Sequence, residues 1–191
     1  MAVATTEVTG RTTDIPGLLI FDVTKIEDDR GYYQETFQKA KLVTAGLPES
    51  FSPVQTSISY NKSVGVTRGF HAEPWDKYIS IVKGRAFAAY VDLRKGESFG
   101  KVVTVELTPT TCIYLPQGVA NSFQTLEPDT YYLYSVNAHW SADLYDEYCF
   151  ANLADPEIGV QWPIPLDQAI MSERDRTHPL LKDAKEFTHG Q

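Results

Sequence analysis

Apolar positions along the chain recur at every second residue more often than at every third or fourth. Over 86–93, Phe87, Ala89, Val91 and Leu93 share one face, and Ala86, Ala88, Tyr90 and Asp92 the other. Tyr132, Tyr134 and Val136 alternate in the same way with Tyr131, Leu133 and Ser135. A period of two belongs to a strand, whose successive side chains point to opposite faces. The pattern predicts strands at 18–23, 32–37, 54–60, 66–71, 78–82, 85–93, 101–107, 112–115 and 131–137. Turn-forming residues separate them: Asn61-Lys62-Ser63, Lys83-Gly84 (a tight hairpin on this reading) and Arg94 to Ser98. Gln38 to Ala45 is the early helix candidate, stopped by Gly46 and Pro48. Roughly the final forty residues lose the strand rhythm and read as loops and short helices. Many short, closely spaced strands predict an all-β barrel or sandwich with a few short helices, mainly toward the C-terminus. No repeat, low-complexity tract or linker divides the chain. Residues 15–191 read as a single domain, and 1–14, small and polar, as a flexible tail or exchanged arm.

Composition narrows the function classes. The 191 residues are 42% hydrophobic, enough for one sizeable core. Seventeen Lys+Arg against 25 Asp+Glu give a net charge of −8. That balance opposes a nucleic-acid-binding role, which needs a basic stripe to neutralise phosphates. No apolar run reaches the roughly 18 residues of a membrane-spanning helix. The N-terminal stretch has neither the basic start nor the apolar block of a secretory signal. Cys112 and Cys149 lie far apart and form no CxxC pair, so no disulfide framework is expected and a reducing cytoplasm is the expected compartment. Gly96 to Lys101 (GESFGK) has three residues between its glycines where a phosphate loop needs four, and Val102 where a Ser or Thr must bind magnesium; it reads as a hairpin connection.

The candidate chemistry centres on one histidine. Of His71, His139, His178 and His189, the last two sit in the polar C-terminal region and read as surface residues. His71 follows Arg68 and Gly69, and Lys77 opens the next strand. A metal-binding β barrel of this size would offer a His-x-His pair, a Glu and a later His. Here Phe70-His71-Ala72-Glu73 has one histidine, and Asn121 stands where the later one would fall. That donor set is poor for a transition metal, and none is expected. A His near a Lys and a buried Tyr suits epimerisation beside a ketone. His supplies a base of near-neutral pKa, Lys a partner for the enolate oxygen, and Tyr an acid for the opposite face.

These motifs resemble the dTDP-4-dehydrorhamnose 3,5-epimerase family of cupin-type enzymes. The resemblance runs from about Ile15 to Leu181. It rests on Asp29-Arg30-Gly31-Tyr32-Tyr33-Gln34-Glu35, Arg68-Gly69-Phe70-His71, Val91-Asp92-Leu93-Arg94, Phe99-Gly100-Lys101, Leu115 to Phe123, Gly159-Val160-Gln161-Trp162-Pro163 and Met171-Ser172-Glu173-Arg174-Asp175. It implies a cupin-type jelly roll that epimerises C5, C3 or both of a dTDP-4-keto-6-deoxyhexose with no cofactor and no metal. It implies His71 as base, Asp175 as the carboxylate that orients it, Lys77 beside the enolate and Tyr134 as acid. It further implies Arg30 and Arg68 on the diphosphate, Glu35, Gln55 and Ser57 near the thymine and sugar, and Trp140 stacked on the base. A homodimer with an exchanged N-terminal strand is implied as well. The chain departs from the family's usual residues at Asn121 (His), Ala88 (Asp) and Ser57 (Asn). Asn cannot carry charge or transfer a proton near neutrality. These departures keep a C3- or C5-only epimerase, a 3,4-ketoisomerase and a non-catalytic nucleotide-sugar-binding cupin in view.

Overall fold

A computed structural model describes residues 5–188. The strands are β1 (Val8–Thr12), β2 (Leu19–Val23), β3 (Lys25–Asp28), β4 (Gly31–Gln34), β5 (Gln55–Asn61), β6 (Thr67–Ala72), β7 (Lys77–Lys83), β8 (Ala86–Asp92), β9 (Val102–Leu107), β10 (Thr111–Leu115), β11 (Val119–Thr125), β12 (Thr130–Val136) and β13 (Cys149–Phe150). Two short helices, α1 (Lys39–Thr44) and α2 (Glu173–Arg176), interrupt the loops. The strands build two antiparallel sheets, ordered β1-β2-β10-β7-β12-β5 and β13-β6-β11-β8-β9, while β3 and β4 form a separate hairpin. This is the all-β architecture that the alternation predicted and the jelly roll that the resemblance implied.

Between the sheets lies an apolar core. One sheet supplies Ile20, Ile79, Ile81, Ile113, Leu115 and Tyr132; the other supplies Ala86, Ala88, Tyr90, Leu107, Val119 and Phe123. The outer face of the second sheet is covered by the C-terminal segment. There Phe70, Ala72, Ala89, Val91 and Ala120 pack with Leu153, Ile158, Leu181 and Phe187. The outer face of the first sheet packs Phe21, Tyr78, Cys112 and Tyr114 on Leu42, Leu47 and Phe51 around α1.

Several expectations need correction. Strand β11 (VANSFQT) was not apparent in the pattern because all seven residues are buried, one face on the inner core and the other under the C-terminal segment. Burial on both faces erases the alternation. The Lys83-Gly84 turn is not a hairpin: β7 and β8 belong to different sheets, and the turn carries the chain across the core. Part of the expected tail, Val8–Thr12, is an edge strand on β2 of the same chain. Its Gly10 lies so close to helix α1 that an added Cβ would sit 2.0 Å from the Ala45 carbonyl oxygen.

The local geometry of β6 positions the site. Residues three apart on a regular strand face opposite ways. Here the register against β11 slips between Asn121 and Phe123, so that His71 pairs with Asn121 and Arg68 with Phe123. Such a bulge brings both side chains to the inner face. Gly69, at φ +121°, makes this possible, because a Cβ there would lie 2.5 Å from Ser122 Cβ and 2.6 Å from the Asn121 carbonyl oxygen. Gly69→Ala should therefore lower stability by at least about 2 kcal/mol in urea unfolding. An unchanged midpoint would contradict the packing described.

Candidate active site

The inner faces of the two sheets converge at one end of the barrel on a polar set. From the second sheet come His71 and Arg68 on β6 and Asn121 on β11; from the first come Lys77 on β7, Tyr134 on β12 and Gln55 and Ser57 on β5. The strand register explains the convergence. Lys77 and Gln55 both stand opposite Val136, and Ser57 stands opposite Tyr134. His71 and Tyr134 thus rise from opposite walls.

His71 and Asp175 meet across 104 residues, with His71 Nε2 donating to Asp175 Oδ1 at 2.9 Å. An ionised carboxylate only accepts, so this bond places the imidazole proton on Nε2 and leaves Nδ1 basic. Asp175 is buried in α2, where its backbone N–H donates to the N-cap hydroxyl of Ser172 at 3.1 Å. Burial alone would push the Asp175 carboxyl up. The hydrogen bond and charge of His71, the charge of His178 and Ser172 outweigh it and hold the group below the usual carboxylate value.

Lys77 is almost fully enclosed, with a side chain 6% exposed. Its ammonium pairs with the Glu73 carboxylate and donates to Asn121 Oδ1 at 3.1 Å, tying the two sheets together. It also lies 5.4 Å from the centre of the Tyr134 ring. Glu73 and Asn121 are both turned to the ammonium. Behind Tyr134, Tyr132 stacks on Phe123 at 4.2 Å and closes the floor.

The mouth is an open cleft of about 580 Å³ lined by Val66, Thr67, Arg68, His71, Ile170, Met171, Ser172, Arg174 and Asp175. Arg68 is anchored through Nε to Asn61 Oδ1 at 3.2 Å, and Arg174 through Nη1 to the Tyr145 hydroxyl at 3.0 Å. Gln55 accepts from the Trp140 backbone N–H at 3.0 Å and donates to Ser57 Oγ at 3.2 Å, which brings Trp140, 54% exposed, beside the rim. Arg30 and Glu35 stand apart from this set. Arg30 is at the tip of the β3–β4 hairpin, its side chain 90% exposed and forked onto Asp28. Glu35 is engaged by Thr6 and by Lys41.

The chain was compared with known proteins. The family model described as dTDP-4-dehydrorhamnose 3,5-epimerase matches residues 12–183. The chain belongs to this family. A protein named RmlC homolog from Streptococcus pyogenes is 45% identical over 90% of this chain and 88% of its own length. The dTDP-4-dehydrorhamnose 3,5-epimerase of Methanothermobacter thermautotrophicus is 30% identical over 90% and 93%. Among solved structures, RmlC from Streptococcus suis in complex with dTDP-D-xylose superposes with a TM-score of 0.89, at 42% identity over 94% of each chain. The Bacillus anthracis enzyme with TDP and pyrophosphate bound gives 0.81, at 29% identity over 91% and 99%.

Within the epimerase frame, three neighbours of the expected residues were named in the sequence without a role in this site: Glu73, Arg174 and His178. His178 is not a surface residue. It is buried, stacked on Phe150 at 4.7 Å, with Nε2 4.0 Å from Asp175 Oδ1. Burial and the neighbouring charge of His71 push its pKa down. His71, Asp175 and His178 offer donor atoms within 4.8 Å of one another, a set able to hold a cation. Their shortest contact, at 2.9 Å, already serves as a hydrogen bond. His189 lies outside the described residues.

The depressed Asp175 predicts a pH signature. A carboxylate whose folded pKa is lowered contributes stability above its unfolded pKa and loses it as pH falls through the folded value. Urea unfolding at pH 6 and pH 3 should therefore show a smaller acid loss for Asp175→Asn than for the parent chain. Equal losses would mean that the His71 contact does not stabilise the ionised form.

Proposed function

We propose that the chain epimerises a dTDP-4-keto-6-deoxyhexose at the carbons flanking its C4 ketone. One observation carries the reading: a histidine oriented by a buried carboxylate and a tyrosine stand on facing sheets, with a lysine ammonium that is bonded to Asn121, the histidine's strand partner, and lies beside the tyrosine ring. Inversion at carbon needs a base on one face and an acid on the other. In this reading His71 Nδ1 removes the proton alpha to the ketone, and the new imidazolium is stabilised by Asp175. Electron density moves onto the C4 oxygen, where the Lys77 ammonium meets the growing negative charge. The Tyr134 hydroxyl then delivers a proton to the opposite face, and a second proton transfer restores the catalytic groups.

The diphosphate fits the basic mouth, with Arg68 and Arg174 as forked donors for its oxygens. Gln55, Ser57 and Trp140 lie beyond Tyr134 as contacts for the sugar and base. The relatives in complex with dTDP-xylose and TDP support a dTDP-sugar as ligand. Nuclear magnetic resonance of the sugar in deuterated water should show inversion at C5, C3 or both, with deuterium at each inverted carbon. His71→Asn should lower the exchange by at least about 10³-fold, since it removes the base while keeping a similar shape. Deuterium at one carbon alone identifies a mono-epimerase, and a moved carbonyl a ketoisomerase. Binding of dTDP without exchange identifies a non-catalytic binder, and exchange that survives in His71→Asn removes the base assignment.

The active form on this reading is a cytoplasmic homodimer. The outer face of β5 and β7 exposes Ile58 at 54%, Tyr60 at 47% and Val82 at 40%, and Tyr32 of the β3–β4 hairpin donates to the Val82 carbonyl beside them. An apolar strip of this kind is suited to burial against a second copy. Pairing there would carry the hairpin, with Arg30 and Glu35, toward the partner's cleft. Ile58→Glu should convert a dimer to a monomer in sedimentation equilibrium. A parent chain that sediments as a monomer would refute the dimer.

A further inference from the structure

We propose that Glu73 is the positioning residue of Lys77: its carboxylate holds the ammonium against Asn121 and beside the Tyr134 ring, where it meets the substrate oxygen. The proposal rests on the epimerase reading above and extends it to a residue to which the resemblance assigns no role.

The argument starts from burial. The Lys77 and Glu73 side chains are 6% and 12% exposed. An ammonium removed from water needs a counter-charge and hydrogen-bond acceptors. Asn121, the other group on the ammonium, supplies a neutral carbonyl and no charge. Among the described residues, Glu73 is the only acid paired with Lys77.

The loop between the two residues is held still. Trp75 is buried against Val136 and Tyr148. Asp76 accepts from the Tyr114 hydroxyl at 2.9 Å and from the Gln117 backbone N–H at 3.0 Å. The Glu73 carbonyl accepts from the Gly118 N–H at 3.1 Å. The carboxylate is thereby presented to Lys77 by a rigid frame. The ammonium is ion-paired with Glu73, donates to Asn121 and faces the Tyr134 ring. The empty site then carries a compensated pair. The neutral ketone disturbs it little, whereas the developing enolate draws on the ammonium's charge, so the stabilisation grows toward the transition state.

Steady-state exchange kinetics with Glu73→Gln, Glu73→Asp, Lys77→Met and the Glu73→Gln/Lys77→Met double variant test this. Glu73→Gln keeps the shape and loses the charge. Its kcat should fall about 10- to 100-fold with KM within about 3-fold. Glu73→Asp, which keeps the charge, should recover most of that loss. In the Lys77→Met background, Glu73→Gln should have no further effect on kcat, because it acts only through the lysine. An unchanged kcat in Glu73→Gln, a loss that appears in KM alone, or an equal loss with and without Lys77 would overturn the proposal. Urea unfolding supplies an arm that needs no activity. Lys77→Met strands a buried carboxylate, so the double variant should unfold at higher urea than Lys77→Met alone. A double variant no more stable than Lys77→Met refutes the pairing. A parent chain with no exchange but with this stability pattern would sink the epimerase reading and leave the ion pair standing.

Discussion

The site depends on one hydrogen bond between parts of the chain 104 residues apart, His71 on β6 and Asp175 in α2. Neither residue is useful without the other. A lone imidazole rotates and titrates freely; a carboxylate on one nitrogen fixes its tautomer and orientation. The bond forms only if the C-terminal segment wraps the outer face of the second sheet, and the wrap is driven by apolar contacts. Trp162 packs on Phe70 and Phe87, at 6.2 and 5.7 Å between ring centres, and Leu153, Ile158 and Leu181 complete the layer. Burial of that layer is the driving force that brings α2 to the mouth. Catalytic geometry and the outer core are therefore a single construction.

The second constraint is the separation of walls. A jelly roll places the inner faces of two sheets opposite each other, so groups on β6 and β12 face each other from the two walls. The bulge at Gly69 turns His71 and Arg68 to the same face. Lys77 bridges the sheets through Asn121 and stands beside Tyr134. The net charge of −8 is no obstacle to a diphosphate ligand, because Arg68 and Arg174 concentrate positive charge at the cleft.

Much of this was legible in the sequence, and the limits have physical causes. Alternation revealed strands that have one covered face or clearly differing faces, such as 86–92 and 130–136. It failed for β11, which is buried on both sides, and for β3, whose residues are charged or exposed. The Lys83-Gly84 turn signalled a reversal but not which sheet receives the next strand. His71, Lys77, Tyr134 and Asp175 were named from family motifs, which encode spacing that composition cannot. His178 and Glu73 were passed over because their surroundings are tertiary. A histidine in a polar run becomes buried only when Phe150 stacks on it, and a glutamate beside a proline becomes a counter-ion only when the loop folds back on Lys77. Arg30 and Glu35, by contrast, were named from the same motifs and lie away from the cavity of their own chain.

The central claim is that base and acid act from opposite faces of the sugar, and Tyr134→Phe tests it most directly. With His71 intact and the opposite acid removed, hydrogen is still abstracted and returned on the same side. The variant should wash solvent deuterium into the carbon beside the ketone while the product keeps its starting configuration. Inversion at the parent rate in Tyr134→Phe would contradict the account.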